Sequence, residues 1–546
     1  MYSPYAIFKL PAIANEPNVH YAPGSPERAK LTAAIKELRA SAPHEIPVVV
    51  DGQEIKTGAT SQQFIPYEHS TVLANVQLAD DATIQKAIHG ALQAKKSWES
   101  LPWSERAAVF LRAADLISGK YRAKICAATI LGQGKNAWQA EIDAAAELID
   151  FFRFGVRYVE DLYKQQPPET SKGVWNRIEY RPLEGFVLAI SPFNFTAIGG
   201  NLPCAPAMLG NVALWKPSPM AVLSNYVLYQ ILVEAGLPAG VIQFIPADPE
   251  QICRASFGSP DFAALHFTGS TKVFKQIWKN IATNIDTFRN YPRIVGETGG
   301  KNFHLIHPSA DQDAAIYHTI RGAFEFQGQK CSACSRLFVP ESLWKSDFKD
   351  RFVNEIKSLK VGTPENFENF VGPVIARHSF DKIVSYIDGA KKLGLNILAG
   401  GKYDDSKGFF VHPTLIETKD PKAPSMVEEI FGPVLTVYAY PDEKYEETLD
   451  LIDSQTGYGL TGAFFAQDRS AIVHATQRLQ NASGMLYIND KCTGAVVGQQ
   501  PFGGGRASGT NDKAGSISLL YRFVNMRTIK ENYIHPEKYI YPSNDV

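Results

Sequence analysis

Hydrophobic positions along the chain follow two regimes. In the first third they recur every three or four residues, as on one face of a helix. GSPERAKLTAAIKELRA predicts a helix capped by Ser25, with Pro26 in a first turn where its missing N–H costs nothing. A second helix starts at Ser104 and carries the stripe Ala107, Phe110, Leu111 and Leu116. Residues 136–163 predict a longer helical stretch, with room for a break near Gly155.

From residue 184 short apolar runs alternate with helical stretches. Strands are predicted at 185–191, 211–217, 240–246 and 262–269, and helices at 196–210, 219–235 and 271–284. Such alternation implies an α/β fold with a parallel sheet covered on both faces. Ligands of such sheets bind beyond the carboxyl ends of the strands, where Asn194, Lys216 and Gly269-Ser270 fall. A second α/β unit begins after Gly300, with a strand at 301–308, a helix over 311–327 ending at a QGQ turn, and further elements to about 480. Gly498, Pro501 and Gly503–Gly505 crowd one loop, and 520–530 reads as a last strand with an exposed edge in a monomer. No period of 20–50 residues recurs, which argues against a solenoid.

The chain has 546 residues, 45% hydrophobic and 20% charged, enough for two or more domains with large cores. A net charge of −1 leaves no electrostatic footprint for nucleic acid. No apolar run approaches the roughly 20 residues that span a bilayer; the segment 185–199 is interrupted by Pro192 and Asn194. Six cysteines are too sparse for a secreted disulfide scaffold. The opening MYSPYAIFKLPAIANEP lacks the features of a secretory signal or an Arg-rich presequence. The expected compartment is therefore the cytoplasm for a bacterial chain, or the mitochondrial matrix for a processed eukaryotic one.

FQGQKCSACSR (326–336) is the densest candidate for chemistry. A structural zinc site needs four ligands, usually with a second cysteine pair; Cys126, Cys204, Cys253 and Cys492 stand singly, and no metal is expected. A thioredoxin-like pair would open a helix after a strand, whereas this one follows a helix. Two buried structural cysteines remain open, and so does a nucleophile, which requires an activated thiolate, an anion-stabilising donor and a base. Lys330 adjoins Cys331 but as its neighbour can face elsewhere. Glu297, in GETGGKN, supplies a carboxylate among glycines, and Asn194, in SPFNF, supplies an amide at an apolar strand end. The turn GSTKVF after residue 268 is open to a pyrophosphate or to an ordinary strand–helix connection.

SPFNF (191–195), WKPSP (215–219), FTGS (267–270), ETGGK (297–301), GQKCSACSR (328–336), EEIFGPV (428–434) and QPFGG (500–504) together resemble the aldehyde dehydrogenase superfamily, in order and over about residues 25–530. LGQGK (131–135), AEIDAAAELIDFFRF (140–154), INDKCTGAVVGQQPFGG (488–504) and RASGTNDKAG (506–515) are similar to its branch that oxidises L-glutamate γ-semialdehyde, from hydrolysis of 1-pyrroline-5-carboxylate, in proline catabolism. Too little sequence precedes residue 25 for a fused proline dehydrogenase domain, so a monofunctional enzyme is expected.

The resemblance implies a Rossmann-type cofactor domain with N-terminal helices (1–163 and 187–296), an α/β catalytic domain (297–509), and a β oligomerisation arm with a C-terminal strand (164–186 and 510–546). It implies Cys331 as a thiolate nucleophile, Asn194 as oxyanion donor and Glu297 as general base. For NAD it implies Lys216 at the adenosine ribose, Ser270 with Gly269 at the pyrophosphate, Glu429 at the nicotinamide ribose, and Phe431, Pro192 and Phe193 nearby. Pro219 stands where many NAD-preferring relatives carry a glutamate, so secondary use of NADP is expected. For the substrate it implies Ser332, Gly494 and Ala495 as the carboxylate anchor, with Phe195 and Phe502 along the aliphatic chain; many relatives have serine at 495. A homodimer or higher homo-oligomer is implied. The alternatives are another semialdehyde dehydrogenase, such as one for succinate semialdehyde, a CoA-dependent acylating enzyme, which would lack Glu297, and a non-catalytic protein on the same scaffold.

Overall fold

The computed structural model describes residues 9–544. Residues 1–8 and 545–546, which belong to the first and last of the expected segments and to the opening read for a targeting signal, lie outside the described residues.

Two seven-stranded sheets organise the chain. In the first the order is Arg293–Glu297, Phe262–Thr268, Phe186–Ile190, Ala213–Lys216, Ile242–Phe244, Val48–Val50 and Gln53–Ile55. The first five strands run parallel. Side chains of alternate strand residues enter cores on opposite faces: Val187, Ala213 and Trp215 pack on one, Phe186, Leu188 and Leu214 on the other. The register levels the carboxyl ends, with Ile190 opposite both Lys216 and Phe267, and Thr268 opposite Glu297.

The second sheet has the order Asn396–Ala399, Thr414–Thr418, Val434–Tyr440, Cys334–Pro340, Asn302–Ile306, Thr461–Phe465 and Met485–Ile488. All but the first of these strands are parallel. The segment Thr298–Lys301 joins the carboxyl end of the first sheet, at Glu297, to the amino end of the second, at Asn302. The reacting groups thus meet where two sheet edges face each other.

The last strand, Val524–Asn532, pairs along its whole length with Val174–Pro182 in an antiparallel ribbon, so one of its edges is covered. Trp175 and Met526 on this ribbon remain 53% and 57% exposed.

The helices at Pro26–Ala40 and Trp103–Leu116 appear where the pattern predicts them, and Ser25 accepts the N–H of Arg28. The chain has no break near Gly155, where the pattern left room for one. The α-helix Leu148–Tyr163 runs through it, and a Cβ there would lie 2.8 Å from Met208 Sδ, so the missing side chain serves helix packing. The irregularity lies earlier, in a wider π-helical turn over Glu141–Glu147. The pattern also carried two signals that went unread. Val48–Val50 is a short buried strand between Ile242–Phe244 and the edge strand Gln53–Ile55, and Asp81–Ser100 is a helix capped by Asp80, with Ile84, Ala87, Ile88 and Ala91 on its buried face.

Candidate active site

The nucleophile candidate sits in a constrained turn. Phe326, Gln327 and Gly328 all have positive φ (49°, 56° and 64°), a run that costs energy for side-chain-bearing residues and needs support from outside. Gln327 Nε2 supplies it by donating to the carbonyls of Gly134 (3.0 Å) and Pro373 (2.6 Å). Gly328 is required: a Cβ would lie 2.3 Å from the Gly432 carbonyl oxygen. Beyond the turn, Asn302 Nδ2 donates to the carbonyls of Cys331 (2.7 Å) and Ala333 (2.9 Å). The Cys331 backbone is therefore fixed from both sides before any substrate arrives.

Asn194 is buried and donates one N–H to the Gln329 carbonyl at 3.1 Å, which ties it to the nucleophile turn and leaves the other N–H for a ligand. The helix after it, Thr196–Met208, is capped from a distance: Asp143 accepts the N–H groups of Thr196 (2.9 Å) and Ala197 (2.8 Å). Asp143 is in turn paired with the fully buried Lys135 ammonium at 2.6 Å, which lies 4.0 Å from the Phe195 ring centroid. Asp143 belongs to the π-helical turn, an irregularity that frequently marks functional positions.

Cys331, Glu297, Phe195, Ser332, Gly494, Ala495 and Phe502 line one cavity of about 430 Å³. Burial pushes the Glu297 carboxyl well above the usual range, with Asp512 adding to the shift and the Lys513 ammonium opposing it; its Oε2 has no hydrogen-bond partner among the described residues. Burial pushes the Cys331 thiol up, Glu297 and Glu429 add to this, and the backbone N–H groups of Ser332 and Cys331 only partly offset it. Lys330 gives no help, since its ammonium is paired with Glu325 at 3.0 Å.

An unpaired buried carboxyl beside a buried thiol, with an amide tethered next to them, is equipped for covalent attack on a carbonyl followed by hydrolysis. The family model for the Aldehyde dehydrogenase family matches residues 55–529. The chain belongs to the aldehyde dehydrogenase family. It is 59% identical over 539 residues to the delta-1-pyrroline-5-carboxylate dehydrogenase of Agaricus bisporus, covering 99% of this chain and 98% of that protein. It is 52% identical over 523 residues to the mitochondrial delta-1-pyrroline-5-carboxylate dehydrogenase of Homo sapiens, covering 95% and 92%. The NAD-bound structure of the Mycobacterium tuberculosis delta-pyrroline-5-carboxylate dehydrogenase superposes with a TM-score of 0.95 at 46% identity, covering 99% of this chain and all of that one.

In this aldehyde dehydrogenase the residues expected at the cofactor stand apart from the cavity, along the carboxyl edge of the first sheet and the facing turn. Lys216 ends its strand, buried and without an ion pair among the described residues; burial pulls its pKa down. Ser270 caps the helix Thr271–Thr283 by accepting the Val273 N–H, and Gly269 precedes it. Glu429 accepts the Gly300 N–H at 2.8 Å, and burial raises its pKa. Phe431, at φ 62°, meets Phe193 edge-on with centroids 5.9 Å apart, and Pro192 is buried beside Phe193. A buried unpaired ammonium and an open helix N-terminus on one strand edge fit the sugar hydroxyls and pyrophosphate of a dinucleotide.

The same cavity is lined by the loop residues Thr493–Val497 and Gln499. Ser332 Oγ hydrogen-bonds Thr493 Oγ1 at 2.7 Å, and Gly494, at φ 86°, turns the loop toward the cavity. Three residues that sequence reasoning missed also line the cavity: Glu147, Asp150 and Asn15. Burial pushes the Glu147 carboxyl up to about 8, with Asp143 adding to the shift and Lys135 and Lys330 opposing it. Burial likewise pushes Asp150 up to about 6, against hydrogen bonds from Asn15 and the Glu16 N–H. A signal did exist for the acids: Asp143, Glu147 and Asp150 are spaced i, i+4, i+7 inside an apolar stretch, where unpaired carboxylates are costly.

Cys334 faces away from the cavity into a buried group with Cys492 and His304, whose ligand-capable atoms all lie within 4.8 Å of one another. His304 Nδ1 meets Thr319 Oγ1 at 2.9 Å and Nε2 accepts the Cys492 N–H, while Cys492 Sγ donates to the Ser332 carbonyl at 3.2 Å. The sequence separation of more than 150 residues hid this cluster.

Proposed function

We propose that this enzyme oxidises L-glutamate γ-semialdehyde, in equilibrium with 1-pyrroline-5-carboxylate, to L-glutamate with NAD, as a step of proline catabolism. The observation that carries the reading is the shared cavity. Its lining brings Cys331 and Glu297 together with the Glu147 carboxyl, the Gly494-Ala495 loop and the Ser332 hydroxyl. A semialdehyde bearing an α-ammonium and an α-carboxylate offers a partner to each of these groups, whereas a plain dicarboxylic semialdehyde has nothing for Glu147. The names of the relatives at 59% and 52% identity support the same substrate.

The Cys331 thiol gives up its proton to solvent as sulfur bonds to the aldehyde carbon. The second Asn194 N–H and the Cys331 backbone N–H hold the oxygen as it gains charge. Lys216, Ser270, Gly269 and Glu429 would hold NAD, with Phe431, Phe193 and Pro192 about it, and the bound cofactor would supply the hydride acceptor for oxidation of the adduct to the thioester level. Glu297 then takes a proton from water as the water attacks the thioester carbon, releasing glutamate and the thiol. A carboxyl raised by burial suits this role, since a stronger base is a better proton acceptor near neutral pH.

NADP is a secondary cofactor in this reading, because Pro219 offers no carboxylate to repel a 2′-phosphate. Residues 1–163 with 187–296 form the cofactor domain, 297–509 the catalytic domain, and 164–186 with 510–546 the oligomerisation arm of a homodimer or larger assembly; the exposed Trp175 and Met526 on the ribbon support this. The name of the human relative, which calls that protein mitochondrial, supports a mitochondrial location. No described helix is long and apolar enough to cross a membrane.

The test is NAD reduction at 340 nm with 1-pyrroline-5-carboxylate and, separately, succinate semialdehyde. Turnover of the first is expected to exceed that of the second; activity with succinate semialdehyde alone would overturn the reading.

A further inference from the structure

The residues before the first helix cross the outside of the helical layer as an irregular strap fixed by side chains. Tyr21 donates to Glu141 Oε2 at 2.7 Å, the Val19 N–H donates to Glu141 Oε1 at 2.9 Å, and Glu16 is held by Arg122 (2.6 Å) and Arg153 (2.7 Å). Between these fixings and the cavity lies Asn15, with all three of its polar positions used. Its Nδ2 donates to Asp150 Oδ2 and to the Val497 carbonyl, each at 2.7 Å, and its Oδ1 accepts from Gln499 Nε2 at 2.9 Å. The adjacent Glu16 N–H donates to the other Asp150 oxygen at 2.8 Å.

Asp150 lies three residues beyond Glu147 on one wall of the cavity. Val497 and Gln499 belong to the loop that carries Gly494 and Ala495 on the other. One amide therefore bridges the helical wall and the anchor loop, and it does so from a segment that belongs to neither sheet.

We infer that Asn15 is a positioning residue, which fixes the spacing between Glu147 and the Gly494-Ala495 loop and so sets the enzyme's preference for aldehydes carrying an α-amino-acid end. This rests on the substrate reading above. A loop held only by its own backbone samples many positions, and each must be given up on binding. Holding the loop in advance lowers that cost for a ligand that touches both walls. An aldehyde that reaches only Cys331 gains nothing from it.

The experiment compares the unaltered enzyme with Asn15→Ala and with Gln499→Ala, which removes a single bond from a more exposed partner. Each is assayed with NAD and either glutamate γ-semialdehyde or propanal, and melting temperatures are measured alongside. For Asn15→Ala, KM for the semialdehyde rises about tenfold, the loss of one to two hydrogen bonds to charged or fixed partners; kcat stays within about twofold and kcat/KM for propanal is unchanged. Gln499→Ala shifts KM the same way by a smaller factor. Equal losses on both aldehydes, or an unchanged KM in Asn15→Ala, would overturn the role of Asn15 while leaving the substrate reading intact. Failure of the unaltered enzyme to oxidise the semialdehyde while it oxidises propanal would overturn the substrate reading and this inference together.

Discussion

The two ends of the cavity are built differently. At the reacting end Cys331 sits on a turn and Glu297 at a strand end, and Asn302, Gln327 and Asn194 hold the backbone there through bonds to carbonyls. At the anchoring end Glu147, Asp150 and Asn15 come from a helix and a strap, and their contacts run between side chains and a loop. The first arrangement keeps reacting atoms in place. In the proposed reading the second adapts the same chemistry to one class of aldehyde. Changes at the first end should therefore act on kcat, and changes at the second on KM.

The largest separation comes from Cys331→Ala. Removing the nucleophile should lower kcat by about 10⁴-fold or more, read as NADH formation, while the melting temperature stays near that of the parent. A variant as active as the parent would end the covalent account. Asn194→Ala comes next. One N–H remains at the oxyanion, and loss of a donor there costs about 3 kcal/mol, or about 10²-fold in kcat; a change confined to KM would move Asn194 from the reacting end to the anchoring end.

Glu147→Gln tests the other end and has a pH signature. Ionised Glu147 attracts the substrate ammonium, and its carboxyl is pushed up to about 8, so KM of the parent should fall as pH rises from about 7 to 8.5. The variant should show a KM about tenfold higher at the upper end of that window, roughly the worth of one charged hydrogen bond, and the ratio of the two KM values should shrink toward pH 7. The same shift acts on stability with a definite sign. The folded value lies above the ordinary carboxylate value, so this group favours folding at low pH, and that contribution is lost as pH rises through about 8. The smallest expected effect is that of Ala495→Ser, which adds one hydroxyl donor to the anchor loop and should lower KM for glutamate γ-semialdehyde a few-fold, about 1 kcal/mol or less. An unchanged or higher KM would show that the loop's N–H groups already satisfy the carboxylate.

The same division governs what the sequence discloses. Strands from 185 onward are short, apolar and bounded by Gly or Pro, so their period is legible one by one. Val48–Val50 is too short to show a period, although it extends the same sheet. The reacting end is written in contiguous motifs, because a turn that presents a side chain at a strand end needs particular neighbours, as Gly328 needs its missing Cβ. The anchoring end depends on pairs such as Asn15 with Val497, 482 positions apart, which no local pattern encodes. The charge state of Cys331 is hidden for a related reason. Its neighbour Lys330 suggests a thiolate, but burial and the carboxyls of Glu297 and Glu429 decide the outcome, and all three are products of packing.

The most direct test of the central claim is to stop the reaction halfway. Glu297→Gln removes the base for hydrolysis and keeps the shape of the side chain. Mixed with NAD and 1-pyrroline-5-carboxylate, it should give one rapid equivalent of NADH followed by very slow turnover. Mass spectrometry of the quenched protein should find a glutamyl thioester on the peptide bearing Cys331. NADH formed without a burst, or an acyl group found on Cys334 or nowhere, would contradict the account.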